Sequence, residues 1–363
     1  MRTAGFHSSA AFWSSLLSLI GLTAQFGVRM VMSAELGATS AYDAFLLAMI
    51  PAGLIATVGF QAIAAALLPK ISQLLQSGAP YAAHQLYRRG LFFSFLIGCL
   101  ICAAIFLSFA LGGFAETGLL FTVLVGWGLL AGVVVVQRQL LVYAGHYFVG
   151  TTTAMLPALA LLFGSIFTTN ASAFEFALFG FAGHILSILI STFVVFKIWK
   201  KKREGFHTDK QNGSPRLKPI LLTAVPVLFA SFNSQAMNII DQTMAAWFQV
   251  GGLALLSLAL AVARLPHTIA DSAMMASGYG ELLDSISAVR SKKSACNQER
   301  VRSIFTKLFT VHALFVVPAA IGFLLCGGAV IEFLFQRGKF GPEESTTAAA
   351  ILLCYPLASF GIM

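Results

Sequence analysis

Charge is what this sequence has least of: Asp, Glu, Lys and Arg make up 10% of its 363 residues, against about 25% in ordinary soluble domains. So few charges cannot cover the surface of a water-soluble fold. Acidic residues are scarcer still, 14 against 23 Lys and Arg. No loop sets paired carboxylates beside a nucleophile, and no G-x-x-x-x-G-K-[ST] occurs, so neither an enzyme nor an ATP-driven motor is supported. The five cysteines make no disulfide framework, because Cys99, Cys102, Cys326 and Cys354 lie in apolar runs and only Cys296 sits in a polar loop. Cys99-x-x-Cys102 has no second pair and no nearby histidine, so no metal site and no cofactor are expected. The amino terminus, MRTAGFHSSAAFW, enters a long apolar stretch without a small-residue cleavage site and is expected to be a retained span.

What the chain has in excess is apolar surface. Hydrophobic residues reach 58%, with 33 phenylalanines, more than one core can bury, so lipid must solvate much of the outside. The expected fold is an all-α membrane protein. Runs long enough to cross the hydrocarbon, about 20 residues each, fall at 10–32, 42–68, 91–114, 117–136, 147–167, 174–196, 219–248, 252–276, 308–335 and 345–363. That gives about ten transmembrane helices. Alternating the loops across the membrane puts 19 of the 23 Lys and Arg on one side and leaves only Arg337 and Lys339 opposite. This bias predicts that both ends of the chain are cytoplasmic. It also explains the net charge of +9 without a nucleic-acid partner.

The longest interruption, within KKKREGFHTDKQNGSPRLK, is basic and turn-rich and reads as a cytoplasmic linker. It divides the chain into a six-helix lobe (1–198), a linker (199–218) and a four-helix lobe (219–363). A shift of 215 residues lays QAIAAALLPKIS, ending at Ser72, on MASGYGELLDSIS, ending at Ser287, and span one on span seven. The lobes are therefore expected to be pseudo-symmetric parallel repeats. Because the second stops after four spans of six, the chain is expected to be a fragment or to carry an incomplete second lobe.

A charge inside a span is costly, on the order of 2.5–3.5 kcal/mol on insertion scales, and marks a substrate or ion path. Arg264, His267, Thr268 and Asp271 share one face of span eight. Two readings stand for Arg264: it grips an anionic substrate, or it pairs with Asp271 to hold helices. Span seven carries Ser231, Gln235, Asn238, Asp241 and Gln242 as a polar stripe. The amides serve packing as well as binding, whereas Asp241 needs a cation, a proton or an arginine. In span one, Ser14, Ser18, Gln25 and Arg29 form another stripe. Arg29 either snorkels to the outer interface or meets Glu35 and Asp43. His184 and His312, alone on apolar helices, read as packing residues. Pro51, Pro157, Pro226, Pro266 and Pro318 are expected to interrupt their spans.

Three stretches then resemble the MurJ (MviN) lipid II flippase family of the multidrug/oligosaccharidyl-lipid/polysaccharide exporter superfamily. They are Arg29, Gly37, Asp43-Ala44-Phe45 and Pro51; QAMNIIDQTMAAWF with Ala263-Arg264-Leu265; and FLFQRGKFGPEESTTAAAILLCYPLASFG. The resemblance implies lobes that rock about a cationic cavity and carry an undecaprenyl-diphosphate-linked saccharide across the bacterial inner membrane. It implies membrane lipid and a lipid-linked saccharide as partners, with a monovalent ion or the membrane potential as the driving force. Arg29, Arg264, Asp43, Gln235 and Asn238 become substrate-binding candidates, and Asp241 and Asp271 ion-coupling candidates. Guanidinium forks suit the oxygens of a diphosphate. The chain departs from the family after Pro51, where Ala-Gly-Leu-Ile-Ala carries no charge. The alternatives are a flippase for another lipid-linked oligosaccharide, a cation-coupled drug exporter, and a non-transporting scaffold. Two intramembrane arginines favour an anionic head group over a cationic drug.

Overall fold

The computed structural model describes residues 4–76, 79–112, 118–143, 146–168, 172–204, 217–277 and 295–362. All regular structure among them is helical. The apolar runs become α1 (Ala4–Leu36), α2 (Ser40–Leu54), α3 (Ala62–Gln76), α4 (Pro80–Gly112), α5 (Gly118–Tyr143), α6 (Tyr147–Phe167), α7 (Ala173–Glu204), α8 (Leu217–Phe248), α9 (Gly252–Ser277), α10 (Ala295–Phe335) and α11 (Pro342–Ile362). A π-helical segment, Ile55–Gln61, joins α2 to α3 in one rod, so the described helices form ten rods at the ten expected positions. Seven of these, Ser40–Ile71, Pro80–Ala104, Gly118–Leu141, Phe148–Phe167, Ala173–Lys200, Gly252–Ala270 and Val301–Phe335, are long and apolar enough to cross a membrane.

Several helices outrun the apolar segments. The second rod continues to Gln76, α4 starts at Pro80, α7 runs to Glu204 and α10 starts at Ala295. Each extension lies at an end assigned to the cytoplasm by the loop charges. Gln, Lys, Arg and Glu are good helix formers in water, so hydropathy finds where lipid ends and not where the helix ends. The prolines also act differently from expectation. Pro157, Pro226, Pro266 and Pro318 all lie inside continuous helices. Pro51 stands four residues before the π-helical segment, whose first amide donates to the carbonyls of Pro51 and Ala52. Among the described residues, only there does the backbone widen into a π-helix.

Packing divides the chain into two compact units, one made of Met1–Ala38 with Ala254–Met363, the other of Thr39–Leu253. The lobes expected at 1–198 and 219–363 are a statement about repeats, and these contacts follow a different division. Most of the linker and the GYGELLDSIS segment lie outside the described residues.

In the first unit, Leu255, Leu258, Ala259, Val262 and Ala263 of α9 pack with Ile331 and Phe335 of α10 and Phe340, Ala348 and Leu352 at α11. Phe26 and Met30 of α1 lie against this core, with the Phe26 and Phe335 rings 5.6 Å apart. The turn between α10 and α11 is tied down. The Lys339 amide donates to the Ala34 carbonyl at 2.8 Å. Gly338 beside it has φ +61°, and a Cβ there would stand 2.4 Å from the Ala34 oxygen. Only glycine meets both conditions without strain.

The second unit uses glycine for contact between helices. A Cβ on Gly128 of α5 would lie 2.6 Å from the Ala52 Cα of α2, so the two backbones touch, as small residues allow where lipid gives no hydrophobic drive to packing. Polar side chains add a second clasp between α5 and α7. Gln137 donates to Thr192 at 2.8 Å and accepts from the Ser191 hydroxyl. A capping box starts α7, with Ser172 N–H donating to Glu175 Oε2 at 2.7 Å.

Candidate functional site

The arginines of the first unit meet on α9. Arg29 of α1 donates through Nη1 to both the carbonyl oxygen and the hydroxyl of Ser257, at 3.1 and 3.0 Å. The residue is half-buried. Arg264 follows Ser257 by seven residues, which returns it to the same face about 10.5 Å further along the axis. Leu255, Leu258, Ala259 and Val262 occupy the opposite face and are buried in the unit's core. Arg264 is exposed, and so is Thr268, whose hydroxyl donates to the Arg264 carbonyl at 2.9 Å. The packing of α9 thus turns a polar stripe away from the core and sets two guanidinium groups along it. Asp271 lies on the same helix, but its side chain is outside the described residues, as are those of Ser14 and Ser18.

His267 leaves this stripe. Its Nδ1 lies 3.2 Å from Nε2 of His312 on α10, with ring centroids 5.3 Å apart. The expectation that His312 stands alone as a packing residue is therefore corrected. A single sequence reports the face a residue takes on its own helix, whereas this pairing depends on which helix lies opposite. His184, by contrast, behaves as a packing residue. It accepts from Trp127 Nε1 at 3.0 Å and reaches the Gly180 carbonyl through Nδ1 at 2.8 Å.

In the second unit, Asp43 is buried at 7% exposure, and its Oδ2 accepts the Gly251 amide at 2.7 Å. Gly251 has φ +80° in the turn between α8 and α9. The carboxylate therefore fastens the start of α2 to that turn. The α8 stripe places Gln235 and Asn238 half-buried. Gln235 sits against Gly53 of α2, where an added Cβ would lie 4.0 Å from its Oε1. Asp241 is exposed and turned about 60° off Asn238 around the helix. The cysteines described, Cys99, Cys102, Cys326 and Cys354, are all free thiols. No group of three or more metal-ligating side chains occurs among the described residues.

Comparison with known proteins places this geometry. A family model described as lipid II flippase MurJ matches residues 32–363, a stretch that includes Arg264 and begins three residues after Arg29. The probable lipid II flippase MurJ of Rhizobium tropici is 28% identical over 144 residues, which are 40% of this chain and 26% of that protein. The match therefore spans about a quarter of the relative's length. A solved structure of lipid II flippase MurJ in an inward closed conformation superposes with TM-score 0.60 at 18% identity, covering 98% of this chain and 72% of that one. An inward-facing multidrug-resistance MATE transporter of the MOP superfamily superposes with TM-score 0.65 at 12% identity, covering 97% and 82%. At such identities the likeness is one of fold, and it is shared by flippases and drug exporters alike.

Proposed function

The chain belongs to the MurJ lipid II flippase family, and from that premise we propose that it moves a polyprenyl-diphosphate-linked saccharide of the lipid II type across the bacterial inner membrane by alternating access. The observation that carries the reading is the placement of Arg29 and Arg264 along one face of α9, opposite the packed core. A diphosphate carries several anionic oxygens, and guanidinium groups bind such oxygens in a planar, two-pronged way. In a medium of low polarity such contacts are worth more than in water. A cationic drug would meet repulsion on the same face.

A multi-pass chain with this loop bias sits with its amino terminus in the cytoplasm, and its two pseudo-symmetric lobes supply the rocking motion. The deciding experiment replaces Arg264 by Lys, which keeps the charge and removes the two-pronged geometry. Flipping of a lipid-linked saccharide in proteoliposomes should fall about tenfold or more, with the melting temperature in detergent unchanged. Full transport in Arg264→Lys would remove the diphosphate grip from the mechanism.

A further inference from the structure

The early part of α10 carries a polar face that the transport mechanism leaves unused. At about 100° per residue, Glu299, Arg302, Ser303, Thr306, Lys307 and Thr310 fall within an arc of about 140°. All six are exposed. They line a shallow, open cavity of about 570 Å³, a size within the range of small-ligand sites. Ile304 and Leu308, on the opposite side of the helix, are buried at 9% and 7% exposure, so packing fixes which way the polar face turns. Phe305 and Phe309 stand exposed beside its Arg302 edge, which sets apolar surface next to charge.

The depth of this face in the membrane follows from the sequence. The apolar run of the rod starts at 308. At about 1.5 Å per residue, Lys307 and Thr306 stand within about 3 Å of its edge, and Ser303 and Arg302 about 8–9 Å out. Headgroups add about 5–7 Å to each side of the hydrocarbon, so these four residues bracket the layer in which lipid phosphates lie. The loop charges assign this end of α10 to the cytoplasm, whose leaflet carries anionic lipid. Six Lys and Arg fall between 290 and 307, against one Glu, the pattern of a basic segment lying on a negatively charged surface. On the face itself two cations stand against one acid. That balance suits the single charge of a phosphodiester better than a diphosphate.

We propose that this face of α10 binds the headgroup of an anionic glycerophospholipid of the cytoplasmic leaflet. Arg302 and Lys307 take the phosphate from two heights, the hydroxyls of Ser303 and Thr306 donate to its oxygens, and Phe305 and Phe309 lie against the acyl chains. The guanidinium supplies the two-pronged contact and the ammonium a point charge at the hydrocarbon edge. The site is independent of what the protein transports.

The experiment uses the whole chain in vesicles of phosphatidylcholine and phosphatidylglycerol that contain a trace of photoreactive phosphatidylglycerol, with the labelled residues mapped by mass spectrometry. Label is expected on α10 between 299 and 310, and unlabelled phosphatidylglycerol should displace it where phosphatidylcholine with the same acyl chains does not. Arg302→Gln and Lys307→Gln should each weaken binding about fivefold, the weight of one basic side chain near the surface. Arg88→Gln, which removes an exposed cation of α4 assigned to the same side of the membrane, should leave the α10 label unchanged. Equal loss in Arg88→Gln, or equal displacement by phosphatidylcholine, would overturn the proposal, because a general attraction to basic loops or a plain lipid contact would then suffice. Displacement by farnesyl diphosphate at matched charge would assign the face to the diphosphate lipid instead, and displacement by inorganic phosphate would reduce it to an anion site; either result overturns the choice of phospholipid. A readout on the wild-type chain needs no variant: raising the salt from about 0.1 to 1 M shortens the screening length from about 10 to 3 Å and should cut the α10 label several-fold. Label indifferent to salt would also overturn the proposal.

Discussion

Replacing Asp43 separates the substrate-binding role that the resemblance implies for it from a structural role that its hydrogen bond gives it. In the structure its carboxylate is buried and receives the Gly251 amide at 2.7 Å, so its first duty is to hold the α8–α9 turn. Hydrogen bonds to charged groups are worth about 1.5–3 kcal/mol, and leaving a buried amide without an acceptor costs about 1–3 kcal/mol. Asp43→Ala removes the acceptor outright and should destabilise the protein by about 2 kcal/mol, close to a 30-fold change in the folded-to-unfolded ratio. Asp43→Asn keeps a carbonyl oxygen in place and should cost about 1 kcal/mol, the difference between a charged and a neutral acceptor. The assay is thermal melting of the intact chain in detergent, run beside flippase activity. Stability should fall in the order wild type, Asn, Ala, with transport following the amount of folded protein. If both variants melt as the wild type does while Asp43→Asn abolishes flipping, the carboxylate is a substrate or ion ligand and the latch is incidental.

Two further outcomes follow from the same geometry. Gly338→Ala forces φ +61° on a residue with a Cβ, and that Cβ would sit 2.4 Å from the Ala34 oxygen; the left-handed backbone alone costs about 1–2 kcal/mol. Gly341→Ala meets only the end of the Glu344 side chain at 2.9 Å, so its melting temperature should drop less, and equal losses would refute the account. Reporter fusions after Gly205 and Lys293 should report cytoplasm, and those at Thr39, Ala115 and Gly251 the periplasm. A periplasmic signal at Gly205 would overturn the topology.

Hydropathy located every rod, because burial in lipid is a property each segment carries by itself. The span at 147–167 coincides with α6 (Tyr147–Phe167). Where charged helix formers follow the apolar run, as beyond Phe196 in α7, the sequence underestimates the helix. The π-helical widening at Ile55–Gln61 left no trace in composition. The sequence set Arg29 and Arg264 on polar helix faces, and the structure has Arg29 half-buried and Arg264 exposed. It could not tell that Arg29 reaches Ser257, that Asp43 reaches Gly251 across 208 positions, or that His267 turns from Arg264 toward His312. Each of those pairings depends on which helix lies opposite, and spacing along one helix contains no term for that.

The length of α10 has a mechanical meaning. Its 41 residues make a rod about 60 Å long at about 1.5 Å per residue, roughly twice the thickness of the hydrocarbon it crosses. Its apolar segment is 308–335, so about a third of the rod, roughly 20 Å at about 1.5 Å per residue, can act as a lever arm outside the bilayer. A tilt of about 10° within the membrane sweeps the free end through about 3–4 Å. Adjustments too small to break any packed contact in the bilayer thus arrive at Ala295 as displacements large enough for another molecule to read.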